Sequence, residues 1–380
     1  MKVALVAGPG GSGVTTVAAL TAVAAAGRGS RTVLVSSDPS TMQILGADRD
    51  RPGLTVVRPD PAADAAAGRP ALSGYLRALG LDDDVEAADL ADLPGAGELS
   101  TLYAIATVAA GGDCDALVVD AGARAVDLLA VPETVGRLAD LVLPAPMRIL
   151  RQFGGLLGGR RTANAAAAPD LVGAVLDRLL LARMLLTSGA ALHLVCGPQR
   201  LRRDVAAAMV PVLAVHGIGL GRVLCNRADG TEGPPAVWPA ETLAIPAQPD
   251  EPTGAALDAL VHIVFGDRDP LSVTPGPAFR DPLVIRTDGG FRMDIPIPLA
   301  ERKSLDLVRS GSDLLVTVLG RTRRIELPSV LRRCRVAGAG FSDGALSVSF
   351  VADPAQWPRA LHPDGDTPPA TASAAADART

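Results

Sequence analysis

The stretch Val-Ala-Gly-Pro-Gly-Gly-Ser-Gly-Val-Thr-Thr-Val, from Val6 to Val17, constrains this chain more than any other. It follows Lys2–Ala7, an apolar run that reads as a strand, and precedes Thr15–Ala26, which reads as a helix. A strand feeding a glycine turn and then a helix aims several backbone N–H groups at one spot, and the helix dipole adds partial positive charge there. Such a turn can cradle phosphate. Gly8, Gly10, Gly11 and Gly13 let the backbone approach closely, and Thr15 stands where a phosphate-binding loop places the hydroxyl that holds Mg²⁺. The pattern G-x-x-x-x-G-K-[ST] requires lysine just before that hydroxyl, and this chain has Val14. The missing ammonium weakens binding and harms phosphoryl transfer more, because that reaction depends on charge stabilisation. A turn with a purely structural purpose would show the same glycines.

The following segments supply a sheet for the turn. Thr32–Ser36, Leu54–Arg58, Ala116–Val119, Leu192–Cys196 and Val223–Cys225 are short apolar runs without polar alternation. Helix-like stretches separate them, at Leu102–Ala110, Gln199–His216 and Gly254–Val264. Alternating strands and helices of this kind predict an α/β fold, a parallel sheet covered on both faces. Two strands end in carboxylates, at Asp38 and Asp120. Ligands sit at the C-terminal ends of parallel strands, so both are site candidates; a helix N-cap is the plain alternative for each.

At 380 residues the chain has room for two domains, and 48% hydrophobic content allows a large core. With 3% aromatics, that core must be Leu, Val and Ala. A formal charge of -5 speaks against a general nucleic-acid binder. Glycines, Pro9 and hydroxyl residues interrupt the longest charge-free stretch, Val3 to Gly27, so no membrane span is expected. The N-terminus shows no secretory pattern. Cys114, Cys196, Cys225 and Cys334 are scattered, without C-x-x-C, and suggest neither a zinc site nor a disulfide framework. A cytoplasmic location follows from these readings. The histidines His193, His216, His262 and His362 show no metal spacing.

Between Glu133 and Gly189 no strand is evident, and the Leu- and Ala-rich sequence reads as a helical insertion with a break near Gly158–Asn164. A first domain is expected over 1–272 and a linker over 273–281. After it, Phe291–Ile297, Leu314–Val318, Arg323–Leu327, Val336–Phe341 and Ala345–Val351 are strand-length runs divided by Gly and Asp turns. They predict a small all-β sandwich over 282–352. The Ala-, Pro- and Thr-rich residues 353–380 read as a disordered tail.

The ordered series of motifs resembles the deviant-P-loop ATPases of the arsenite-pump and tail-anchored-protein-targeting type. Their loop is G-K-G-G-V-G-K-T-T and their next strand ends in S-T-D-P, against "GPGGSGVTT" and "SSDP" here. "LPGAGELSTLYAI", "ALVVDAG" with "LLAVPE", "LVCGPQRLRRDVAAA", "VLCNRADG" and "DALVHIVFGDRDPL" match later segments in order. "MDIPIPL", "RRIELPSVL" and "DGALSVSF" resemble the α-crystallin-like domain attached to some bacterial members. The resemblance covers nearly all of 1–351 and implies a P-loop NTPase-like sheet, ATP and Mg²⁺ as cofactors, and a dimer. By resemblance, Gly8, Gly10, Gly11, Gly13, Thr15 and Thr16 hold phosphate, and Thr15 and Asp120 hold Mg²⁺. Asp38 positions the attacking water, Asp120 lies in switch II, and Asn226 contacts adenine.

The departures set the functional expectation. The family's two loop lysines fall at Pro9 and Val14, and the first of them reaches across the dimer. Lysine occurs only at Lys2 and Lys303. Switch II, Ala121-Gly122-Ala123-Arg124 after Asp120, is shortened and lacks P-T-G-H. The first reading is a degenerate member with weak or lost nucleotide binding, serving as a regulatory or scaffolding subunit of a homodimer or of a heterodimer with a catalytic paralogue. The second is an active ATPase in which an arginine, with Arg124 the candidate, replaces lysine. The third is a chaperone-like protein that holds a protein client without nucleotide. The Leu/Met segment Leu141–Leu186, with Met147, Leu150, Phe153, Leu156, Leu157, Leu179, Leu180, Met184 and Leu185, reads either as packing or as a client surface. The basic run Arg321, Arg323, Arg324, Arg332, Arg333 and Arg335 reads as a solvated face or a site for an acidic partner.

Overall fold

Backbone alternation in the first strand decides how the sheet is covered. The computed structural model describes residues 1–46, 51–78, 84–142, 167–228, 238–271 and 282–356. Strand β1 (Lys2–Ala7) lies mid-sheet, between β4 (Ala116–Gly122) and β5 (Ala190–Cys196), and pairs parallel with both. Ala4 and Val6 face one cluster and Val3, Leu5 and Ala7 the other. With both faces apolar, β1 needs helices on both sides. On one side lie α1 (Val14–Ala26) and, near the end of the α/β part, a helix at Ala255–Phe265. On the other lie α5 (Ala96–Gly111), α6 (Ala125–Val142), α7 (Ala167–Ser188) and α8 (Arg200–Val215). The short α2 (Thr41–Leu45), α3 (Pro61–Ala78) and α4 (Ala87–Ala91) precede α5; the helix at Ala255–Phe265 is α9.

The seven-stranded sheet is completed by β2 (Thr32–Val35), β3 (Leu54–Val57), β6 (Gly219–Ala228) and β7 (Glu241–Pro246), in the order β3-β2-β4-β1-β5-β6-β7. All its strand pairs are parallel. This is the expected α/β class. Two adjustments follow from packing. The α5 helix begins six residues before the predicted Leu102, because Gly95 starts it in a left-handed turn (φ 94°). The helices of the expected insertion do not stand apart: Leu179, Ala182 and Leu186 of α7 are buried against the sheet. The break near Gly158–Asn164, Met147, Leu150, Phe153, Leu156 and Leu157 lie outside the described residues, as do the linker and most of the tail.

The C-terminal part is antiparallel. One sheet holds β10 (Leu305–Ser310), β11 (Asp313–Val318) and β12 (Arg321–Glu326). The other holds β13 (Cys334–Ser342), β14 (Ala345–Ala352), β9 (Gly290–Pro296) and β8 (Leu283–Thr287), in that order. The one-turn helix α10 (Ser329–Arg332) joins β12 to β13. Burial alternates along β11, so Leu314, Val316 and Val318 point inward to Met293, Ile295 and Val348. Val212 and Val215 of α8 join that same core, so the sandwich packs directly on the α/β part.

The basic run is not a solvated face throughout. Arg321 pairs with Asp127 at 2.9 Å, Arg324 with Asp313 at 2.5 Å and Arg332 with Glu326 at 2.5 Å. Arg323 lies 3.7 Å from Glu133 and donates to the carbonyl of Val215. Arg333 and Arg335 are exposed.

Candidate functional site

The glycine loop follows β1, and its shape depends on missing side chains. A Cβ on Gly8 would collide with the carbonyl oxygen of Val195, and one on Gly13 (φ 84°) with the Asn226 amide. The loop closes on itself as the Ser12 hydroxyl donates to the Pro9 carbonyl at 2.5 Å. Asn226 Nδ2 donates to the Ser12 carbonyl at 2.8 Å. Arg202 of α8 donates to the Gly10 carbonyl, a contact that nothing in the sequence announces. Helix α1 then starts at Val14 with Gly13 as its N-cap and no side-chain cap. Its first-turn N–H groups therefore remain available to an anion.

Two strand ends, those of β2 and β4, converge beside the loop. From the end of β4, Asp120 accepts a hydrogen bond from Ser36 at 2.8 Å, and Ser36 meets the Thr41 hydroxyl at 2.8 Å. Asp38 accepts from the Ser40 N–H at 2.8 Å and the Ser40 hydroxyl at 2.6 Å. The two carboxylates titrate in opposite directions. The Ser40 hydroxyl leads in holding Asp38 below the usual carboxylate range, with the Ser40 N–H and Thr15 adding to it. Burial pushes Asp120 above that range against the pull of Ser36 and Thr15, and the charge of Asp38 pushes the same way. Asp120 is thus a desolvated carboxylate held by hydroxyls, an environment that a divalent cation would relieve.

Thr15, Asp38 and Asp120 line one cleft of about 370 Å³, together with Glu98, Gly122 and Arg124. Arg124 is the one basic residue among its lining residues, and it is ion-paired to Glu98 at 3.0 Å. Val14 contributes nothing to this cleft; its side chain is 7% exposed and packs in the core under α1. A second cavity of about 220 Å³ lies on the other side of the loop, lined by Gly11, Gly13, Thr16, Asn226, Pro246 and Gln248 among others. The structure therefore places Thr15, Asp38 and Asp120 on one cavity and Gly11, Gly13, Thr16 and Asn226 on the other, with Gly8 packed against Val195 and lining neither. Gly10 has open space where its side chain would be. A Mg²⁺·triphosphate is compatible with the open helix start, Thr15 and the buried Asp120, but no lysine meets it.

Residues 288–350 match a family described as an HSP20-like domain found in ArsA. A protein of Streptomyces coelicolor, itself uncharacterized, is 34% identical over 94% of this chain and 100% of its own length. A protein of Mycobacterium tuberculosis is 29% identical over 94% of this chain and 97% of its own. A protein of Chlorobaculum tepidum that carries the name arsenical pump-driving ATPase is 24% identical over 92% of this chain and 96% of its own. Among the described residues no helix is long and apolar enough to cross a membrane. A seven-stranded parallel sheet opening on a glycine loop, an HSP20-like sandwich and relatives spanning nearly the whole length make this chain a member of the ArsA-type ATPase family with a C-terminal HSP20-like domain.

Proposed function

We propose that this protein is a degenerate member of its family, a cytoplasmic dimer subunit with regulatory or scaffolding work and little or no ATP hydrolysis. The carrying observation is the burial of Val14 in the core, away from a cleft whose one basic lining residue, Arg124, is already held by Glu98. Bound Mg²⁺·ATP would supply the phosphoanhydride and the metal charge. The N–H groups of the loop and first helical turn would hold phosphate, and Thr15 with Asp120 would hold the metal. Asp38, kept ionised and oriented by Ser40, would order a water. What is missing, among the described residues lining the cleft with Thr15 and Asp120, is a cation without a partner. Loss of a single preorganised donor costs about 10²–10³ in rate. Turnover by the purified protein is therefore expected at least about a hundredfold below an ordinary ~1 s⁻¹. A turnover of about 1 s⁻¹ that vanishes in Asp38→Asn contradicts this.

The position of Arg124 in the cleft favours a second reading, an active ATPase with arginine in the lysine's role. That reading requires the same turnover to vanish in Arg124→Ala. Leu180 and Met184, 48% and 53% exposed on α7, favour a third, a chaperone-like protein. Binding of an apolar protein client at equal strength with and without Mg²⁺·ATP would support it.

A further inference from the structure

Two of the cysteines that look scattered in the sequence are neighbours. Cys196 closes β5 and Cys225 lies in β6, and they are register partners in a parallel ladder. Their sulfurs are 3.3 Å apart. Neighbouring strands run about 4.8 Å apart, inside the ~4.4–6.8 Å between Cα atoms that a disulfide spans. The pair can therefore close without separating or shifting the strands. The other two cysteines are occupied elsewhere: Cys114 lies against Met1 and Cys334 donates to the Val330 carbonyl.

The two thiols are not equivalent. Cys196 is buried, whereas Cys225 is half-buried and so the one a reagent meets first. Hydrogen bonding between the sulfurs pulls the Cys225 thiol below its ordinary value and pushes Cys196 above it, and the Arg203 charge lowers both. The accessible sulfur has more thiolate character, as an attacking thiol needs.

The pair also sits directly under the glycine loop. Val195, the residue before Cys196, places its carbonyl against Gly8. Asn226, the residue after Cys225, donates to the Ser12 carbonyl at 2.8 Å. The loop thus rests on the two strand positions adjoining the sulfurs.

We propose that Cys196 and Cys225 form an oxidisable dithiol that closes to a disulfide by exchange with a small-molecule disulfide, and that closure stiffens the glycine loop resting on them. The Cys225 thiolate attacks one reagent sulfur, breaking the reagent S–S bond and expelling one thiolate. Cys196 then loses its proton to solvent and attacks Cys225 Sγ, expelling the second. The two cysteines give up two electrons and two protons, and the reagent becomes two thiols.

The full-length protein is incubated with glutathione disulfide, its free thiols are alkylated, and its peptides are mapped by mass spectrometry. The expected product joins Cys196 to Cys225 and leaves Cys114 and Cys334 alkylated. In the same samples, amide exchange over Gly8–Thr16 is expected to slow several-fold. Cys225→Ser should abolish both effects, and Cys114→Ser should preserve both. Four unreacted thiols, a stable glutathione adduct at Cys225, or a cross-link through Cys114 or Cys334 overturns the site. A Cys196–Cys225 cross-link with unchanged loop exchange overturns the coupling. The experiment contains no nucleotide, so its outcome is independent of whether ATP binds.

Discussion

His193 sits fully buried in β5, and neither ring nitrogen finds a partner among the described residues. Burial, with the charge of Arg222 adding to it, lowers its pKa to about 3. His216 is lowered to about 3 as well, by burial first and then by Arg323, Arg183 and Arg321. A histidine that folds neutral contributes stability that is present above its unfolded pKa near 6.5 and is lost as pH falls toward its folded value. Going from pH 7 to 5 is expected to cost about 2 kcal/mol per histidine. Asp120, raised by burial, carries the opposite sign and offsets part of the loss. Urea unfolding of wild type and His193→Leu at the two pH values checks this: the variant should lose roughly half of the pH dependence, and parallel behaviour would contradict it. At this scale the sequence showed which residues could be functional but not their protonation or pairing. Gly13 and Asp120 are legible because strand–turn–helix order fixes them. The Cys196–Cys225 contact and Arg202 on Gly10 join residues far apart in sequence, through register and helix placement that no local pattern encodes.

Helix α6 shows what an element adds to its residues. It starts five residues after Asp120, and two of its carboxylates meet arginines of β12: Asp127 with Arg321, and Glu133 with Arg323. Glu133 also pairs with Arg183 of α7. The two contacts differ in burial. Glu133, Arg183 and Arg323 are each under 20% exposed, whereas Asp127 and Arg321 are 43% and 58% exposed. Removing the Glu133 charge would leave two half-buried guanidinium groups with their shared carboxylate gone, so Glu133→Gln is expected to cost about 1–3 kcal/mol, below the figure for a fully buried pair. Asp127→Asn should cost less than about 1 kcal/mol. Thermal unfolding of both variants decides the order, and equal losses would show that burial does not govern this cluster. Arg321 and Arg323 of β12 read as part of a solvent face in the sequence because Asp127 and Glu133 lie almost two hundred residues away. Strands β7, β8 and β10 escaped the sequence reading for a local reason: they are short and half-exposed, so their apolar pattern is thin.

For the whole molecule, the junction between the sandwich and the α/β part is an apolar core as well as a set of ion pairs. Val212 and Val215 are buried among Leu314, Val318 and Leu331. Separating the two parts would expose that surface at roughly 25 cal/mol per Å². Calorimetry of the full chain is therefore expected to show one cooperative transition, and two resolved transitions would contradict a shared core. The sequence foresaw both architectures, because strand–helix alternation gives way to strand–turn repetition after Leu283. It did not foresee their joint core, since Val212 and Val215 are indistinguishable in sequence from residues facing their own sheet. The short path from Asp120 through Arg124 into α6 has a mechanical meaning as well. With no free chain between cleft and helix, and with the helix pinned to β12 at two points, α6 is a lever arm whose short end lies in the cleft. Cleft and sandwich are thus joined through one helix and two ion pairs rather than through a loop.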